Sequence, residues 1–426
     1  MVEAVSTLDA RYLGGRLKKC KRALRRFKNR LKNYLLSIKD HILIRMIDLV
    51  NSVLMDAYKI PWSAAQNFAH EMARRIGNIA LLLFQFPALS AYELTGTKWK
   101  IIFIGKTHRG LQQICRLFFD DKFDREELGK IPLRRVSSQS QKWLEEGIDL
   151  IVCELNCVHP KRPKAAISFT SPTLINQVIP IPKQLETALS GRKVAGIRRI
   201  VNRAKKLGFN YKFSQSPADF DNFHYNMYLP FIKSRHGDLA TITPYEVQRR
   251  WFAKGGLLLV TQHGRPVAGA LCCIGDHTCY SIELGILGAC PKLFQQGVTT
   301  IINWYKITWA HELGASRYNM GSASARCSDP VFTYKRRWGA RVEERKRIYA
   351  TFTFLASQLS IPLQNHLNKL GFISELDGKF YRVFLDNDIG CGKQTDVSKE
   401  LSATKKEGLD GLAVVLANSN PVIYDL

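Results

Sequence analysis

The stretch "GACPKLFQQGVTTIINWYKITWAHELGASRYNMG", residues 288–321, carries the clearest structural pattern in this chain. From Val298 onward its apolar residues recur at helical spacing, and Gly314 is a typical helix stop. The segment "YSIELGIL" before it and "ASRYNMG" at its end have the short, apolar composition of strands. A strand, a helix and a further strand in this order predict an α/β unit.

The flanking sequence extends this unit on both sides. A basic helix is expected at 192–208, a strand follows it, and a second helix begins at Ser216 and runs until Pro230. Residues 256–287 predict three antiparallel strands joined by the turns "QHGRP" and "IGDHT". Downstream, "DPVFTYKRRWGARVEERK" (329–346) opens with a short helix and continues into a strand pair or one long strand.

The first half of the chain is patterned more weakly. The runs 99–105 and 148–155 are apolar and β-branched, and predict buried strands with helices between them. The Pro-rich stretch 159–172 is expected to be a connection, and 79–92 a buried helix and turn that is too short to span a membrane. The predicted fold class is therefore α/β (or α+β) with mixed central sheets.

Composition narrows the class of partner. With 426 residues the chain exceeds the usual size of one domain, and its hydrophobic content of 46% suffices for real cores. The net charge of +27 indicates an anionic partner, such as RNA, DNA, an anionic lipid surface or a phosphate-bearing cosubstrate. None of the ten Cys forms a CxxC pair or a zinc-module spacing with His, so we expect reduced thiols, no metal and a cytosolic location.

The first 45 residues are strongly basic, with thirteen Lys and Arg against three acidic residues. Within 16–32, Leu17, Leu24, Phe27 and Leu31 follow helical spacing, which predicts an amphipathic helix with a cationic face. Helices of this kind bind anionic membrane surfaces or nucleic acid. An ordinary helix packed on its own protein fits the pattern as well.

Three segments resemble known acyltransferases. The hairpin 256–273, with its Gly-x-Pro-x-Ala-Gly turn, and the loop, helix and strand of 288–321 resemble a GNAT acyltransferase domain. The segment "DPVFTYKRRWGARVEE" resembles the Tyr-Lys-x-x-Trp-Gly stretch of the FemAB-like branch. The resemblance to this family extends over residues 185–375. It implies two fused GNAT-like units and the transfer of acyl or aminoacyl groups onto amines in cell-envelope chemistry.

The expected domains follow from this resemblance and from composition. We expect a basic amphipathic helical region at 1–94, a degenerate first GNAT-like unit at 95–184 and the acyltransferase domain at 185–384. Residues 385–426 are expected to form a polar, partly loose tail.

The loop before Val298 is the candidate donor site, because unpaired amides at a helix start and the helix dipole favour a phosphate. An ordinary strand-to-helix turn fits the same pattern. Of the family's Arg/Gln-x-x-Gly-x-Gly/Ala loop only Gln-Gly is present, so acyl-CoA, an acyl carrier protein thioester and aminoacyl-tRNA stay open as donors. Each is a cosubstrate, and no permanently bound cofactor is expected. The candidate donor-binding residues are Gln296, Gly297, Val298, Thr299, Thr300 and Lys335.

An amine that attacks a thioester or ester must lose a proton, and the charge that develops must be stabilised. Glu283, among apolar neighbours that raise a carboxyl pKa, and His236, whose usual pKa is close to working pH, are the candidate bases. Tyr334 is the candidate donor to the oxyanion or leaving group. Each also fits a purely structural role. The candidate substrate-binding residues are Arg235, Tyr228 and Arg337.

The leading hypothesis is an N-acyltransferase that moves an acyl group from a thioester donor to an amine of a cell-envelope precursor or lipid. It predicts a cytoplasmic protein, peripheral on the inner face of the cell membrane, with no DNA partner. An aminoacyl-tRNA-dependent FemAB-like aminoacyltransferase is the first alternative. A non-catalytic basic RNA- or membrane-binding protein on a GNAT scaffold is the second, because a fold does not fix a function.

Overall fold

The predicted mixed α/β class is confirmed, with three mixed sheets in the part of the chain that the structure describes. These residues all belong to one compact unit, Gly77–Leu426. The computed structural model describes residues 88–105, 108–119, 122–132, 135–156, 165–190, 194–237, 240, 242–343, 350–386 and 397–426. The predicted basic helices at 1–45 lie outside these residues.

The first sheet is buried on both faces. Along one strand Ile101 and Phe103 enter the core under one helix, while Ile102 and Ile104 enter the core under another, as the two-residue period of a strand requires. Its strand order is β3-β1-β2-β4-β13-β5, with β2 and β4 parallel. Its elements are β1 Ala88–Thr95, β2 Lys100–Gly105, α1 His108–Phe118, β3 Asp124–Pro132, α2 Val136–Glu145, β4 Leu150–Asn156, β5 Ile167–Pro172 and β13 Ala350–Ala356.

Two local predictions for this half are wrong. Residues from Ala88 onward belong to a strand rather than to the predicted helix and turn, because β1 pairs with both β2 and β3. Residues 167–172 are a strand of the sheet rather than part of a connection, because β5 pairs with β13. A short apolar run has no period that separates a helix from a buried strand, so pairing with distant residues decides between them.

The second sheet is built from the segments with the clearest sequence pattern. Its order is β12-β6-β11-β10-β9-β8-β7. Its strands are β6 Leu174–Pro180, β7 Phe209–Ser214, β8 Gly256–Gln262, β9 Arg265–Gly275, β10 Thr278–Ile286, β11 Arg317–Ser324 and β12 Arg341–Glu343. Its α-helices are α3 Ala195–Lys206, α4 Pro217–Asn222, α5 Leu229–His236, α6 Tyr245–Lys254, α7 Pro291–Gln295, α8 Val298–Glu312 and α9 Pro330–Arg337.

The helix predicted to end at Pro230 continues past it, so that boundary is wrong. A π turn, Phe223–Tyr228, joins α4 to α5, and Pro230 falls at the start of α5. A proline is tolerated in the first turn of a helix, where its missing N–H is not needed. The helical run ends instead at Gly237, whose φ is 54°.

The two large sheets exchange strands. Only Thr173 separates β5 in the first sheet from β6 in the second. The chain returns between β12 and β13, so that β13 lies between β4 and β5. The predicted strand pair after residue 340 is thus two strands in different sheets, and neither large sheet comes from one continuous stretch.

The segment predicted to be a partly loose tail contributes to a third sheet. Gly411–Val415 is a fully buried strand that pairs with a neighbour on each side. The prediction missed it because a five-residue apolar run between polar stretches carries little periodic signal. The elements of this third unit are α10 Ile361–Leu370, β14 Ile373–Leu376, β15 Lys379–Leu385, α11 Val397–Glu407, β16 Gly411–Val415 and β17 Val422–Asp425.

Candidate active site

A cleft opens between two parallel strands of the second sheet. β10 and β11 pair over only three positions, Thr278 to Tyr280 on the β10 side. Beyond them β10 stays paired with β9, and β11 stays paired with β6. The strands therefore separate, and the gap widens toward their carboxyl ends. The facing edges carry backbone N–H and C=O groups without ladder partners, which a ligand can satisfy.

Two bulges explain why the strands separate. The register of β10 against β9 shifts between Ser281 and Glu283, so Ile282 is an extra residue. The register of β11 against β6 shifts between Asn319 and Ser322, and Gly321 within that interval has a φ of 77°. A bulge bends its strand and increases its twist. We call the resulting gap between β10 and β11 the cleft.

The bulge in β10 also decides where Glu283 points. In a regular strand Ser281 and Glu283 would share a face, because side chains alternate. Here Ser281 faces α8, since its hydroxyl bonds Lys306, whereas Glu283 faces the other side of the sheet and bonds Thr243. The carboxylate consequently lies beside the π turn rather than beneath α8.

Glu283 has the properties of a base. Burial raises the pKa of its carboxyl group, and the hydrogen bond from Thr243 opposes part of that rise. The Thr243 hydroxyl donates to Oε1 at 2.6 Å. Within the described residues the other oxygen, Oε2, has no hydrogen-bond partner. A carboxylate with a raised pKa and one available oxygen is suited to accept a proton.

The predicted substrate contact Tyr228 supports the Glu283 site from beneath. Its ring is 1% exposed, and its hydroxyl accepts the backbone N–H of Thr243 at 2.9 Å. Burial raises the pKa of Tyr228, and the nearby Glu283 carboxylate adds to that rise. In this structure Tyr228 therefore fixes the loop that carries Thr243.

The start of α8 lies at the same end of the sheet as the opening of the cleft, because α8 joins the parallel strands β10 and β11. Gly297 precedes the helix with a φ of 87°, and its carbonyl accepts from the amides of Thr300 and Ile301 at 2.9 and 3.0 Å. The amides of Val298 and Thr299 come before these and have no helical partner, as at any helix start. A Cβ on Gly297 would come within 2.6 Å of Ile200, so glycine is also needed for close packing against α3.

The other predicted donor residues occupy different positions around this start. Thr300 is buried and Thr299 is half-buried. The Oε1 atom of Gln296 is buried without a hydrogen-bond partner among the described residues. An acceptor in this position can take a hydrogen bond from a bound ligand or water.

Tyr334 bonds to the first turn of α8. Its hydroxyl accepts from Nδ2 of Asn303 at 3.0 Å and donates to the carbonyl of Thr299 at a longer 3.3 Å. The same Asn303 nitrogen donates to the Thr299 carbonyl at 3.0 Å, and its Oδ1 accepts from Tyr318 at 2.8 Å. The hydrogen bonds place Tyr334 next to the α8 start, on the opposite face of the sheet from Glu283.

The basic run after Tyr334 divides into buried and exposed residues. Lys335 is 6% exposed, and its Nζ donates to the carbonyl of Ser322 at the β11 bulge, at 2.8 Å. Arg337 is exposed at the end of α9. Lys335 therefore brings positive charge to the β11 side of the cleft, and Arg337 does so at the surface.

Arg235 and His236 lie at the end of α5. The guanidinium of Arg235 lies over the rings of Phe231 and Phe294, at 5.4 and 5.6 Å from their centroids, and so links α5 to α7. His236 is the last residue of α5, and its side chain lies outside the described part of the chain.

A basic surface borders the α8 start. The helix α3 packs on α8 through Ile200, and Arg203 donates to the carbonyl of Gln295 at 2.9 Å. No acidic residue occurs between Glu186 and Asp219 in the sequence. The exposed cations of this surface on α3 are Arg198, Arg199, Arg203, Lys205 and Lys206.

Metal and membrane features were sought among the described residues. No group of three or more His, Cys, Asp or Glu side chains there is arranged to hold a metal ion. No helix there combines the length and the apolar character needed to cross a membrane.

Sequence reasoning missed several residues of this site. Thr243 bonds Glu283 but comes from a segment with no motif of its own. Asn303, which bonds Tyr334, and Tyr318, which bonds Asn303, lie inside the well-patterned stretch 288–321, where spacing predicts the helix and strand but not the role of single residues. In the sequence Lys306 is recognisable as a single cation inside the apolar run of α8. In the structure its side chain is fully buried.

Solved structures with a related fold include L-PGS from Bacillus licheniformis, with 12% identity over 66% of this chain and 85% of that one and a TM-score of 0.32. FemX has 12% identity over 68% and 92%, with a TM-score of 0.34. A GCN5-related N-acetyltransferase from Kribbella flavida has 15% identity over 68% and 97%, with a TM-score of 0.23. No family model matches this chain, and no curated protein matches it.

Proposed function

We propose that this protein is a transferase that moves an acyl or aminoacyl group from a phosphate-bearing carrier to an amine, in the cleft between β10 and β11. The observation that carries the proposal is Glu283. This partly buried carboxylate follows the point at which the strands separate, and its burial raises its pKa. A base of this kind can take the proton that an amine loses when it attacks a carbonyl carbon.

The chemistry requires no covalent enzyme intermediate. The amine nitrogen attacks the carbonyl carbon of the donor, an N–C bond forms, and the C–S or C–O bond to the carrier breaks. Glu283 takes the proton that the nitrogen loses, and the Tyr334 hydroxyl gives a proton to the departing sulfur or oxygen. Return of one proton through solvent from Glu283 to Tyr334 restores both groups.

The proposed binding site for the donor phosphate is the start of α8. The amides of Val298 and Thr299 and the helix dipole favour an anion there. The buried Oε1 of Gln296, which lacks a partner among the described residues, can accept an N–H or O–H from the same carrier. Lys335 adds charge from the β11 side.

The first candidate donor is a thioester, either acyl-CoA or an acyl carrier protein. The carrier protein fits the short amide array, because two amides match a single phosphodiester better than a pyrophosphate. The acceptor in this proposal is an amine of a cell-envelope precursor or lipid.

The second candidate donor is aminoacyl-tRNA, and the basic surface of α3 favours it. A nucleic acid binds such a surface through its phosphates, with an affinity that falls steeply as salt rises. Salt dependence therefore distinguishes tRNA from acyl-CoA, which makes few phosphate contacts.

Contact with the inner face of the cell membrane is a further part of the proposal. It rests on the basic composition of residues 1–45. Flotation of the full chain with anionic vesicles, compared with a chain that lacks residues 1–60, tests it. Equal flotation of the two chains would reject membrane contact through this region.

A donor panel tests the proposed function. The full chain is mixed with acetyl-CoA, palmitoyl-CoA, palmitoylated acyl carrier protein or alanyl-tRNA, and its melting temperature is measured. A ligand at 100 times its Kd stabilises the folded state by about 2.7 kcal/mol, so a true donor raises the melting temperature by a measurable amount. Mass spectrometry then follows transfer to phosphatidylethanolamine vesicles and to a lysine-containing muropeptide.

Charge reversal provides the matched control for the panel. The double variant Arg199→Glu, Lys206→Glu is expected to bind a macromolecular donor more weakly. Lys369 is an exposed lysine on α10, and Lys369→Glu is expected to leave donor binding unchanged. Binding of a panel member without any transfer would favour the non-catalytic alternative. No stabilisation and no transfer across the panel would reject the proposed function.

A further inference from the structure

A buried lysine lies at the closed end of the cleft. Lys306 on α8 is 2% exposed, and its Nζ donates to the Ser281 hydroxyl at 2.7 Å. Among the described residues it forms no ion pair with a carboxylate, and the titratable groups beside it are the thiols Cys272 and Cys279. A buried ammonium without a carboxylate is costly, and an apolar side chain of similar size would fill the same space. The free-energy cost of burying this ammonium group therefore indicates a functional role for Lys306.

The donors and acceptors around Lys306 determine which group donates in each hydrogen bond. An ammonium group has three donors and no acceptor, so the Ser281 oxygen must accept from it. Ser281 comes two residues after Cys279, which pairs with Tyr318 on β11, and both Ser281 and Tyr318 bond side chains of α8. Their side chains are therefore diagonal neighbours on one face of the sheet, and the one Ser281 proton is available to the Tyr318 oxygen.

The same order of donor and acceptor extends along the hydrogen bonds to Tyr334. The Tyr318 proton goes to Oδ1 of Asn303 at 2.8 Å, so the Asn303 amide nitrogen must point the other way. That nitrogen donates to the Thr299 carbonyl and to the Tyr334 hydroxyl, both at 3.0 Å. Tyr334 consequently accepts from the chain, and its own proton is held only by the 3.3 Å contact with Thr299. A bound donor can take that proton.

We propose that Lys306 is a positioning residue which, through Ser281, Tyr318 and Asn303, orients the Tyr334 hydroxyl as a proton donor to the leaving group. The inference rests on the proposed function, because it assigns the proton that the departing sulfur or oxygen receives. Aligned hydrogen bonds also polarise one another, so each member strengthens the next. Burial lowers the pKa of Lys306, and the thiols Cys272 and Cys279 oppose that change.

The first test needs no substrate. The protein is labelled with 13Cζ-tyrosine, and the Tyr334 resonance is assigned by its loss in Tyr334→Phe. We expect that resonance to move in Lys306→Met and in Tyr318→Phe, while Tyr381, which bonds Asp425 in the third sheet, serves as an unaffected control. An unchanged Tyr334 resonance in a folded Lys306→Met protein would overturn the inference, whatever the outcome of the donor panel.

The second test uses the donor and acceptor of the panel that show transfer. Lys306→Met and Tyr334→Phe are each expected to lower kcat about tenfold or more with little change in KM, a loss within the usual range for general acid catalysis. The double variant is expected to be no slower than Tyr334→Phe alone, since both changes remove one function. Multiplicative losses in the double variant, or a Lys306→Met loss confined to melting temperature, would assign Lys306 to packing.

Discussion

At the scale of single residues, two opposing effects act on Glu283. Burial penalises the ionised carboxylate, and the Thr243 hydroxyl stabilises it through a 2.6 Å hydrogen bond. Burial is the larger effect, so the carboxyl group is a stronger base than an exposed glutamate. The folded state is less stable for keeping it ionised, a cost that is common at sites selected for chemistry.

The pH dependence of stability follows from the sign of this shift. A carboxyl pKa that is higher in the folded than in the unfolded state means that the folded state binds more protons between the two values, so stability falls as pH rises through that window. Glu283→Gln removes the ionisation and keeps an oxygen for Thr243. We expect the variant to be more stable than wild type at pH 8, with the advantage lost as pH falls from the raised folded pKa to the unfolded pKa of about 4.3. Urea unfolding across this pH range measures it, and an advantage that is the same at every pH would show that ionisation is not its cause.

Loss of the Thr243 hydroxyl changes the pH profile of transfer. The hydrogen bond lowers the Glu283 pKa, so Thr243→Val is expected to move the acidic limb of the rate profile to higher pH. Thr243→Ser keeps the hydroxyl and serves as the control, with its limb at the wild-type position. A limb that does not move in Thr243→Val would mean that another group titrates.

At the scale of secondary-structure elements, the start of α8 is held by one glycine with two separate requirements. Gly297 needs a positive φ, and a Cβ there would contact Ile200 at 2.6 Å. Gly339, after α9, has a similar φ of 82° and open space around it. The two glycines therefore separate backbone strain from packing.

Alanine substitutions at these two positions are expected to differ. Gly339→Ala carries strain alone and should cost about 1 kcal/mol. Gly297→Ala adds overpacking, which usually costs about 1–3 kcal/mol more. Urea unfolding of both variants measures the difference, and Gly297→Ala should cost less in an Ile200→Ala background, because that change removes the contacting Cγ2 atom. Equal losses at the two glycines would exclude a packing role for Gly297.

The elements that the sequence predicts well are those whose periodic pattern continues over many residues. The helix at 298–312 was expected from spacing, the strands around it from their apolar composition, and a short helix was expected at the start of the stretch 329–346. The bulge at Ile282 was not, although it places Glu283 and Ser281 on opposite faces. A bulge depends on the partner strand, and a single strand carries no mark of it. The role of Thr243 was hidden for the same reason, since it reaches Glu283 only in the folded chain.

At the scale of the whole molecule, strand exchange couples the two large sheets. β13 fills the position between β4 and β5, and it can do so only after the chain has passed through the second sheet. This exchange was not predicted, because pairing between residues about 200 apart in the chain leaves no local pattern in the sequence.

Coupled sheets are expected to unfold together. Two buried thiols report on them separately, Cys153 on β4 and Cys272 on β9. Labelling of the intact chain with a thiol reagent at increasing urea, read by mass spectrometry, should give one midpoint for both residues. Two separate midpoints would show that each sheet is stable without the other.

The most direct test of the account is a comparison of Glu283→Gln with wild type in donor binding and in acyl transfer. If Glu283 takes the proton of the attacking amine in the cleft, the variant binds the panel donor with an unchanged Kd and transfers it about 10²–10⁴-fold more slowly. Transfer at nearly the wild-type rate by a variant that binds the donor normally would contradict it.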